Sequence, residues 1–256
     1  MAIHKTAIID SAAEIDSSVE IGPYAVIDGP VRIGSGCRVM SHAFITSNTT
    51  LGPDNVIYPF AVIGAAPQDL SYHEEKSYLQ IGKGNTIREG VSIHRGSKEG
   101  SATEVGDNNF IMGYSHIAHD CIIGNEVVIA NGALLAGHVH IDNQVFISGN
   151  VVIHQFCAVG RLAMLSGLAR ISKGVPPFMT VVERNSVVGL NVVGLKRAGF
   201  TQEERGKVKR AFKLLYHSGL NVKQAVEAIK RKELGPGAEA IIDFIARSKR
   251  GICGAA

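Results

Sequence analysis

The stretch VGDNNFIMGYSHIAHDCIIGNEVVIANGALLAGHVHIDNQVFISGNVVIHQFCAVGRLAMLSGLARI, residues 105–171, has an aliphatic residue at every sixth position. An α-helix would show a period near 3.6 residues and an ordinary strand a period of 2, so neither explains the spacing. A period of six fits one short strand followed by one corner, and three such units form one triangular coil. The stretch therefore predicts a prism of parallel strands with these aliphatic anchors inside.

The same phase continues upstream of this stretch. The phase runs through residues 3–63, lapses, and resumes unshifted over 81–93. It lapses a second time before residue 105. Such hexapeptide repeats are typical of left-handed parallel β-helices. The two lapses, near 65–80 and 94–104, carry charges where anchors should be and are expected to be loops that leave the prism. Long loops on a rigid scaffold often carry function.

The repeat fades after residue 171, and helical patterning follows it. Thr201 and Glu204 have the spacing of a capping box, and further helices are expected over 221–234 and 237–250. The predicted fold class is mainly β: a left-handed parallel β-helix over residues 1–190, followed by a C-terminal α-helical domain over 191–256.

Composition narrows the class of protein. The chain has 256 residues, is 45% hydrophobic and lacks tryptophan, so its core must be aliphatic. Cys37, Cys121 and Cys157 fall two positions before an anchor, where small residues predominate, and are expected to fill the core rather than form disulfides. No apolar run reaches the roughly 18 residues of a membrane span. With no signal-peptide pattern at its start, the chain is expected to be cytoplasmic, without stable membrane insertion.

Charge is divided unevenly along the chain. Residues 196–250 contain 14 of the 26 Lys and Arg residues but only 6 of the 23 Asp and Glu residues. A basic tail on an acidic body favours an acidic partner, although a solvated helix face would show the same bias.

The 18-residue coil brings distant residues together, because positions i and i+18 stack about 4.8 Å apart. His119, Gly137 and Gln155 are 18 residues apart, as are Asp120 and His138. One edge of the prism is therefore expected to gather His116, His119, Asp120, Gly137, His138, His154 and Gln155.

A histidine at this edge can take a proton from a hydroxyl or an amine near neutral pH. The cluster contains no serine or cysteine nucleophile, which favours direct transfer to an acceptor over a covalent enzyme intermediate. An oxyanion formed in such a transfer needs a donor, and the Gly137 backbone N–H is the candidate.

Six motifs in the chain carry a family resemblance. They are HIAHDC (116–121), LAGH (135–138), VIHQF (152–156), IHRG (93–96), VPP (175–177) and GLKRAGF (194–200). Together they resemble the bacterial UDP-N-acetylglucosamine O-acyltransferases, which open lipid A biosynthesis, and the similarity extends over essentially the whole chain.

The resemblance implies a homotrimer with active sites between subunits. It also implies transfer of a 3-hydroxyacyl chain from acyl carrier protein to a UDP-sugar, with no resident cofactor or metal and no nucleic-acid partner. In this family pattern His119 is the general base, supported by Asp120, with His116, His138 and Gln155 as active-site neighbours. His154, which is adjacent to Gln155, is also expected to contact the substrate. The remaining implied positions are Asp69 for the sugar, Asn191 and Arg197 for the nucleotide, and Met164 and Gly167 for the acyl chain.

Three positions depart from the commonest family pattern. Ser71 stands where lysine is usual, Val193 where glutamate is frequent, and Ala198 where a second arginine is frequent. Losing the lysine suits an acceptor bearing an amine, because a neighbouring cation would oppose a protonated amine. These changes resemble a branch that acylates a 3-amino UDP-sugar, and Ser71 would then contact the sugar.

Other functions remain open on the sequence alone. A γ-class carbonic anhydrase shares the prism and could bind zinc through His116, His119 and His138, although the long first loop and the helical tail argue against it. A coenzyme A-dependent sugar acetyltransferase and a non-catalytic β-helix module are further alternatives.

Overall fold

The computed structural model describes residues 2–256, and most of these residues form a three-sided prism of short parallel strands. The first face contains Ala2–Ile3, Glu20–Ile21, Arg38–Val39, Val56–Ile57, Thr86–Ile87, Phe110–Ile111, Val128–Ile129, Phe146–Ile147, Met164–Leu165, Met179–Val182, Ser186–Leu190 and Gly254–Ala255. Within this face, Met179–Val182 and Ser186–Leu190 form an antiparallel pair. The second face contains Ile8–Ile9, Val26–Asp28, Phe44–Thr46, Val62–Ala65, Ser92–His94, His116–Ile117, Leu134–Leu135, Val152–Ile153 and Arg170–Ile171. The third face contains Glu14–Ile15, Arg32–Ile33, Thr49–Leu51, Tyr78–Ile81, Ala102–Val105, Ile122–Ile123, His140–Ile141 and Ala158–Val159.

The anchors form the core of this prism. All those from Ile21 to Ile171 are at most 3% exposed, while Ile3 at the open N-terminal end is 39% exposed. The three cysteines assigned to the core are buried and free, as expected. The chain is thus a left-handed parallel β-helix with few helices at its C-terminal end, which confirms the predicted fold class.

The register explains why the repeat resumes in phase after each lapse. Phe44 pairs with Val62 at an offset of 18 residues, Val62 with Ser92 at 30, and Ser92 with His116 at 24. The two connections therefore add 12 and 6 residues to the basic coil. Both insertions are multiples of six, so the hexapeptide phase continues unchanged.

The connections that leave the prism are shorter than the lapses in the repeat. They run over 66–77 and 95–101, because the strands Tyr78–Ile81 and Ala102–Val105 begin before their anchors. Leu79 and Thr103 are buried two positions before those anchors, in the slot used throughout the repeat. The loops predicted to end near residues 80 and 104 therefore end two to three residues earlier, where these strands begin.

Four helices follow the prism. They are α1 (Val192–Arg197), α2 (Gln202–Tyr216), α3 (Val222–Arg231) and α4 (Pro236–Arg247). The capping box predicted at Thr201 and Glu204 begins α2, whereas α1 was not predicted from the sequence. No helix within residues 2–256 has the length and apolar character needed to cross a bilayer. The boundary placed at residue 190 stays a prediction.

Candidate active site

His119 and Asp120 lie in one corner of the prism, between its second and third faces. The register of His116 with Leu134 and of Leu134 with Val152 brings this corner level with residues 137–138 and 155–156 of the next two coils. Backbone bonds link the same coils, since His138 N donates to His119 O and Phe156 N to Gly137 O. We call this corner the histidine edge, and it gathers the residues expected from the 18-residue spacing.

The side chains of His119 and Asp120 form a close pair. His119 Nδ1 lies 2.8 Å from Asp120 Oδ2, and the two side chains are only 12% and 9% exposed. An ionised carboxylate only accepts hydrogen bonds, so the shared proton is held on Nδ1 and the lone pair is left on Nε2. The arrangement can therefore present Nε2 as a base to the adjacent pocket.

Asp120 owes its orientation to the second connection. Ser97 Oγ donates to Asp120 Oδ2 at 2.6 Å, and Ser97 N lies 3.2 and 3.1 Å from the two carboxylate oxygens. Burial alone would raise the pKa of Asp120, but the hydrogen bonds from Ser97 and His119 leave that pKa below its usual value. The carboxylate is therefore ionised at neutral pH.

Gly137 lies directly beneath the His119 ring. A Cβ at this position would lie 2.5 Å from Cε1 and 2.6 Å from Nε2 of the ring. Gly137 is buried, yet no residue from 2 to 256 accepts a hydrogen bond from its N–H. Because Gly137 also lines the pocket beside His119, its N–H is a candidate donor to a group bound there.

Two other histidines pack beside the pair. The His138 ring stacks on Phe156 with centroids 4.6 Å apart, and its Nε2 lies 3.7 Å from Asp120 Oδ2. His116 Nδ1 lies 2.8 Å from Ser92 Oγ. Burial, followed by the neighbouring His119, lowers the pKa of His116, so this ring is neutral at pH 7.

The zinc ligand set considered from the sequence is not the one that converges. Among the described residues, only His119, Asp120 and His138 bring three potential metal-ligating atoms within 4.8 Å of one another, and His116 is not among them. Asp120 is at the same time the hydrogen-bond partner of His119 and of Ser97. The geometry is that of a histidine oriented by a carboxylate.

A pocket of about 890 Å³ opens beside this pair and runs along the second face. We call it the histidine pocket. From the expected set it is lined by His116, His119, Gly137, His154 and Gln155.

The first connection reaches this pocket through one residue. Gln68 lines it, whereas Asp69 and Ser71 line neither large pocket of this chain. The Asp69 carboxylate accepts hydrogen bonds from Ser71 N and Ser71 Oγ, both at 2.9 Å, and these bonds lower the pKa of Asp69. The two side chains are thus engaged with each other. Arg95, at the start of the second connection, donates a hydrogen bond to Tyr72 Oη of the first connection at 2.8 Å.

The remaining expected residues lie on a different face. Met164, Asn191 and Arg197 line a second pocket of about 700 Å³, which lies between the first face and α1. We call it the apolar pocket. Asn191 also caps α1, since its Oδ1 accepts from Gly194 N and its Nδ2 donates to Leu162 O, both at 2.9 Å. Gly167 is exposed and lines neither pocket.

Several residues of the site were not predicted. Ser97 lies within a lapse of the repeat, where no register marks it. His94 belongs to the IHRG motif, and its buried ring packs edge-on against His116 with centroids 4.8 Å apart. Arg170 follows His116, Leu134 and Val152 in register, so the 18-residue step could have found it. Arg184 lies beyond the repeat and has no such signal.

Comparison with known proteins agrees with this geometry. Residues 175–253 match the family profile described as Udp N-acetylglucosamine O-acyltransferase, domain 2, and residues 102–137 match the bacterial transferase hexapeptide profile. An acyl-(acyl-carrier-protein)–UDP-N-acetylglucosamine O-acyltransferase from Thermodesulfovibrio yellowstonii is 49% identical over 98% of both chains. The chain belongs to the UDP-N-acetylglucosamine O-acyltransferase family. It is therefore an acyltransferase, and the resemblance carried by the six motifs is confirmed.

Solved structures of this family superpose closely on the chain. The UDP-N-acetylglucosamine acyltransferase of Francisella novicida is 42% identical, with a TM-score of 0.95, covering 98% of this chain and 94% of that one. A homologue from Acinetobacter baumannii is 40% identical, with a TM-score of 0.95, covering 98% and 99%. The family carries both the prism and the helical tail.

Proposed function

We propose that this acyltransferase moves a 3-hydroxyacyl chain from acyl carrier protein to the 3-position of UDP-N-acetylglucosamine or its 3-amino analogue, as an early step of lipid A biosynthesis in the cytoplasm. The observation that carries the proposal is the close packing of His119, Asp120 and the unpartnered N–H of Gly137 in one pocket. Family membership favours this reaction over carbonic anhydrase chemistry, and no resident cofactor or metal enters the proposal.

The pair acts as a general base. Nε2 of His119 takes the proton from the acceptor's 3-hydroxyl or 3-amino group as that group attacks the thioester carbonyl. The negative charge on the tetrahedral intermediate's oxygen is stabilised by the Gly137 N–H. When the intermediate collapses, the carbon–sulfur bond breaks, and His119 returns the proton to the departing thiolate.

The division of the site between two pockets supports a trimer. The histidine pocket lies on the second face and the apolar pocket on the first, so one chain cannot close both around one substrate. In a cyclic trimer, the second face of one subunit meets the first face of the next, and each interface completes one site. Met164 and Gly167 would then contact the acyl chain, while Asn191 and Arg197 would contact the nucleotide bound at the neighbour's histidine edge.

The corner between the first and second faces has the character of a buried contact. Tyr24 and His42 stack with centroids 5.2 Å apart, and His42 stacks on Phe60 at the same distance. Tyr24, Phe60, Tyr114 and Leu168 on this corner are each more than half exposed in the single chain. The proposed trimer covers these side chains, because this corner lies between its two contacting faces and points toward the axis. Exposed apolar rows of this kind mark interaction surfaces.

The basic tail is proposed as the docking surface for the acidic carrier protein. Lys207, Lys209, Arg210 and Lys213 lie on α2, where only Lys207 forms an ion pair with an acidic residue among those described. The phosphopantetheine arm of the carrier could then enter the cleft from the helical end.

The missing lysine supports an acceptor that bears an amine. Ser71 is held by Asp69 and places no cation beside the sugar, which favours the 3-amino acceptor for the physical reason given above. Purified protein should be incubated with 3-hydroxyacyl carrier protein and either UDP-N-acetylglucosamine or its 3-amino analogue, with products identified by mass spectrometry. Faster acylation of the hydroxyl sugar would refute the amine preference while retaining the acyltransferase.

The same assay separates the alternative donors. We expect transfer from acyl carrier protein and none from acetyl coenzyme A. Activity with acetyl coenzyme A alone would favour a sugar acetyltransferase, and stoichiometric zinc with CO₂ hydration would favour a carbonic anhydrase.

A further inference from the structure

Two arginines lie side by side at the end of the histidine pocket that is nearest the helical tail. Arg170 belongs to the last strand of the second face, and Arg184 forms an isolated parallel bridge with it. Bridged backbones lie about 4.8 Å apart. Both residues line the histidine pocket together with His154 and Ser172. The pocket therefore has the proposed base at one end and two positive charges at the other.

Neither of these guanidinium groups has an anionic partner. No residue from 2 to 256 forms an ion pair or a side-chain hydrogen bond with Arg170 or Arg184, whereas Arg32, Arg38 and Arg88 each pair with a glutamate. Glu183 precedes Arg184 directly, but among the ion pairs of residues 2–256 its carboxylate pairs with neither guanidinium. Two adjacent cations repel each other, and a bound anion would remove that repulsion.

The backbone that carries the pair is fixed in place. Arg170 N donates to Glu183 O at 2.6 Å. Asn185 accepts from Ser172 N at 2.8 Å and donates to Ser172 Oγ at 2.9 Å, which ties the turn after Arg184 to the pocket wall. A site whose backbone is set in advance loses less entropy when it binds a ligand.

The spacing matches one part of the proposed donor. Arg170 lies two strand spacings beyond the Gly137 coil and Arg184 three, which is about 10 and about 14 Å along the prism. Between its sulfur and its phosphorus, the phosphopantetheine arm has about as many consecutive bonds as a peptide of four to five residues. A peptide of that length spans roughly 15 Å when extended. A thioester whose carbonyl oxygen is bound at Gly137 therefore places the arm's phosphate near these two arginines.

We propose that Arg170 and Arg184 bind the phosphodiester of the donor's phosphopantetheine arm. This inference rests on the proposed function, because it takes the acyl donor to be a carrier-linked thioester. A fork of guanidinium donors suits phosphate oxygens, and such charge-assisted bonds are stronger than neutral ones. The sugar nucleotide's diphosphate is the competing anion. In the proposed trimer Arg197 of the partner subunit is already its cationic contact, and the KM for the UDP-sugar tests this alternative.

The test uses two minimal donors that differ only in the phosphate, namely 3-hydroxyacyl-phosphopantetheine and 3-hydroxyacyl-pantetheine. We expect the wild-type protein to bind the phosphorylated donor about tenfold more tightly and the double variant Arg170→Gln, Arg184→Gln to bind both donors equally. Arg32→Gln removes one exposed charge far from the pocket and should keep the wild-type preference. Binding is measured by calorimetry and kcat/KM by product formation.

The outcomes separate the two proposals. A phosphate preference that survives in the double variant would overturn the inference. An increase in the KM for the UDP-sugar with no change in the affinity for either donor would also overturn it. If the wild-type protein transfers no acyl group from any donor, the proposed function fails, while the binding comparison still decides whether the arginines recognise phosphate.

Discussion

The imidazole of His119 lies over the α-carbon of Gly137, so closely that a Cβ on Gly137 would stand 2.5 Å from its Cε1 atom. The glycine therefore provides the space in which the proposed base lies, and its N–H is the proposed oxyanion donor. This relationship comes directly from the 18-residue coil, which stacks position 137 on position 119.

Gly137→Ala should separate activity from stability. The added methyl group would displace the His119 ring, which is the mobile end of a side chain, so we expect kcat to fall at least about a hundredfold while the melting temperature changes by only a few degrees. Gly254→Ala is the control, because a Cβ there meets nothing within 4 Å. Near-normal kcat for Gly137→Ala would show that the ring need not occupy its observed position.

Ser97→Ala tests the support of Asp120. Removing the hydroxyl takes away the 2.6 Å hydrogen bond but leaves the backbone donor, so we expect kcat to fall about tenfold, with KM little changed and Ser97→Thr restoring the rate. Ser115→Ala is matched in burial but lies outside the site. If both alanine variants lost stability and neither lost kcat, Ser97 would have no part in positioning the pair.

His94 should make folding stability depend on pH. Burial, followed by the charges of His116 and His119, lowers its pKa to about 4 from 6.5. As the pH falls, the unfolded chain binds a proton at this histidine near pH 6.5, whereas the folded chain binds it only near pH 4. Stability is therefore complete above pH 6.5 and falls across this window, by up to about 3 kcal/mol.

Urea unfolding at pH 7 and pH 5 measures this dependence. We expect His94→Gln to flatten it, while His73→Gln, which changes an exposed histidine, should leave it as in the wild type. An unaltered pH dependence in His94→Gln would contradict the assignment.

Gly167→Met should change the preferred acyl length. A Cβ at Gly167 has only Gly149 O within 4 Å, at 3.6 Å, so the fold accepts a side chain there. In the proposed trimer this side chain would enter the acyl groove and displace several methylenes, each worth about 0.8 kcal/mol. Competition between long and short 3-hydroxyacyl carriers should shift toward the shorter donor by at least about tenfold. An unchanged ratio would remove Gly167 from the acyl groove.

The repeat predicts the fold and the histidine edge because both depend only on a fixed step. Anchors such as Ile117 and Ile153 must lie inside, and the same step stacks His119 on Gly137. The positions of Ser97 and Gln68 could not be predicted in this way, because both lie on connections that leave the prism, where the repeat does not fix a position. Helix α1 was also not predicted, because its six residues are too few to show the apolar stripe of a helix.

The division of the expected site residues between two faces could not be foreseen from the spacing, which orders residues along one chain but not between chains. Met164 lies on the first face of the prism, whereas His119 lies in the corner between the second and third faces. Only a neighbouring subunit can bring a second copy of Met164 to the histidine edge.

Subunit complementation tests this central claim most directly. The variant His119→Ala and the double variant Asn191→Ala, Arg197→Ala would each be inactive or nearly so as pure proteins, and would be mixed in equal amounts, unfolded and reassembled together. If each interface joins the second face of one subunit to the first face of the next, about a quarter of the interfaces contain two intact halves. The account predicts recovery of about that fraction of wild-type acyl transfer. No recovery above the two pure variants, in trimers shown to be mixed, would contradict it.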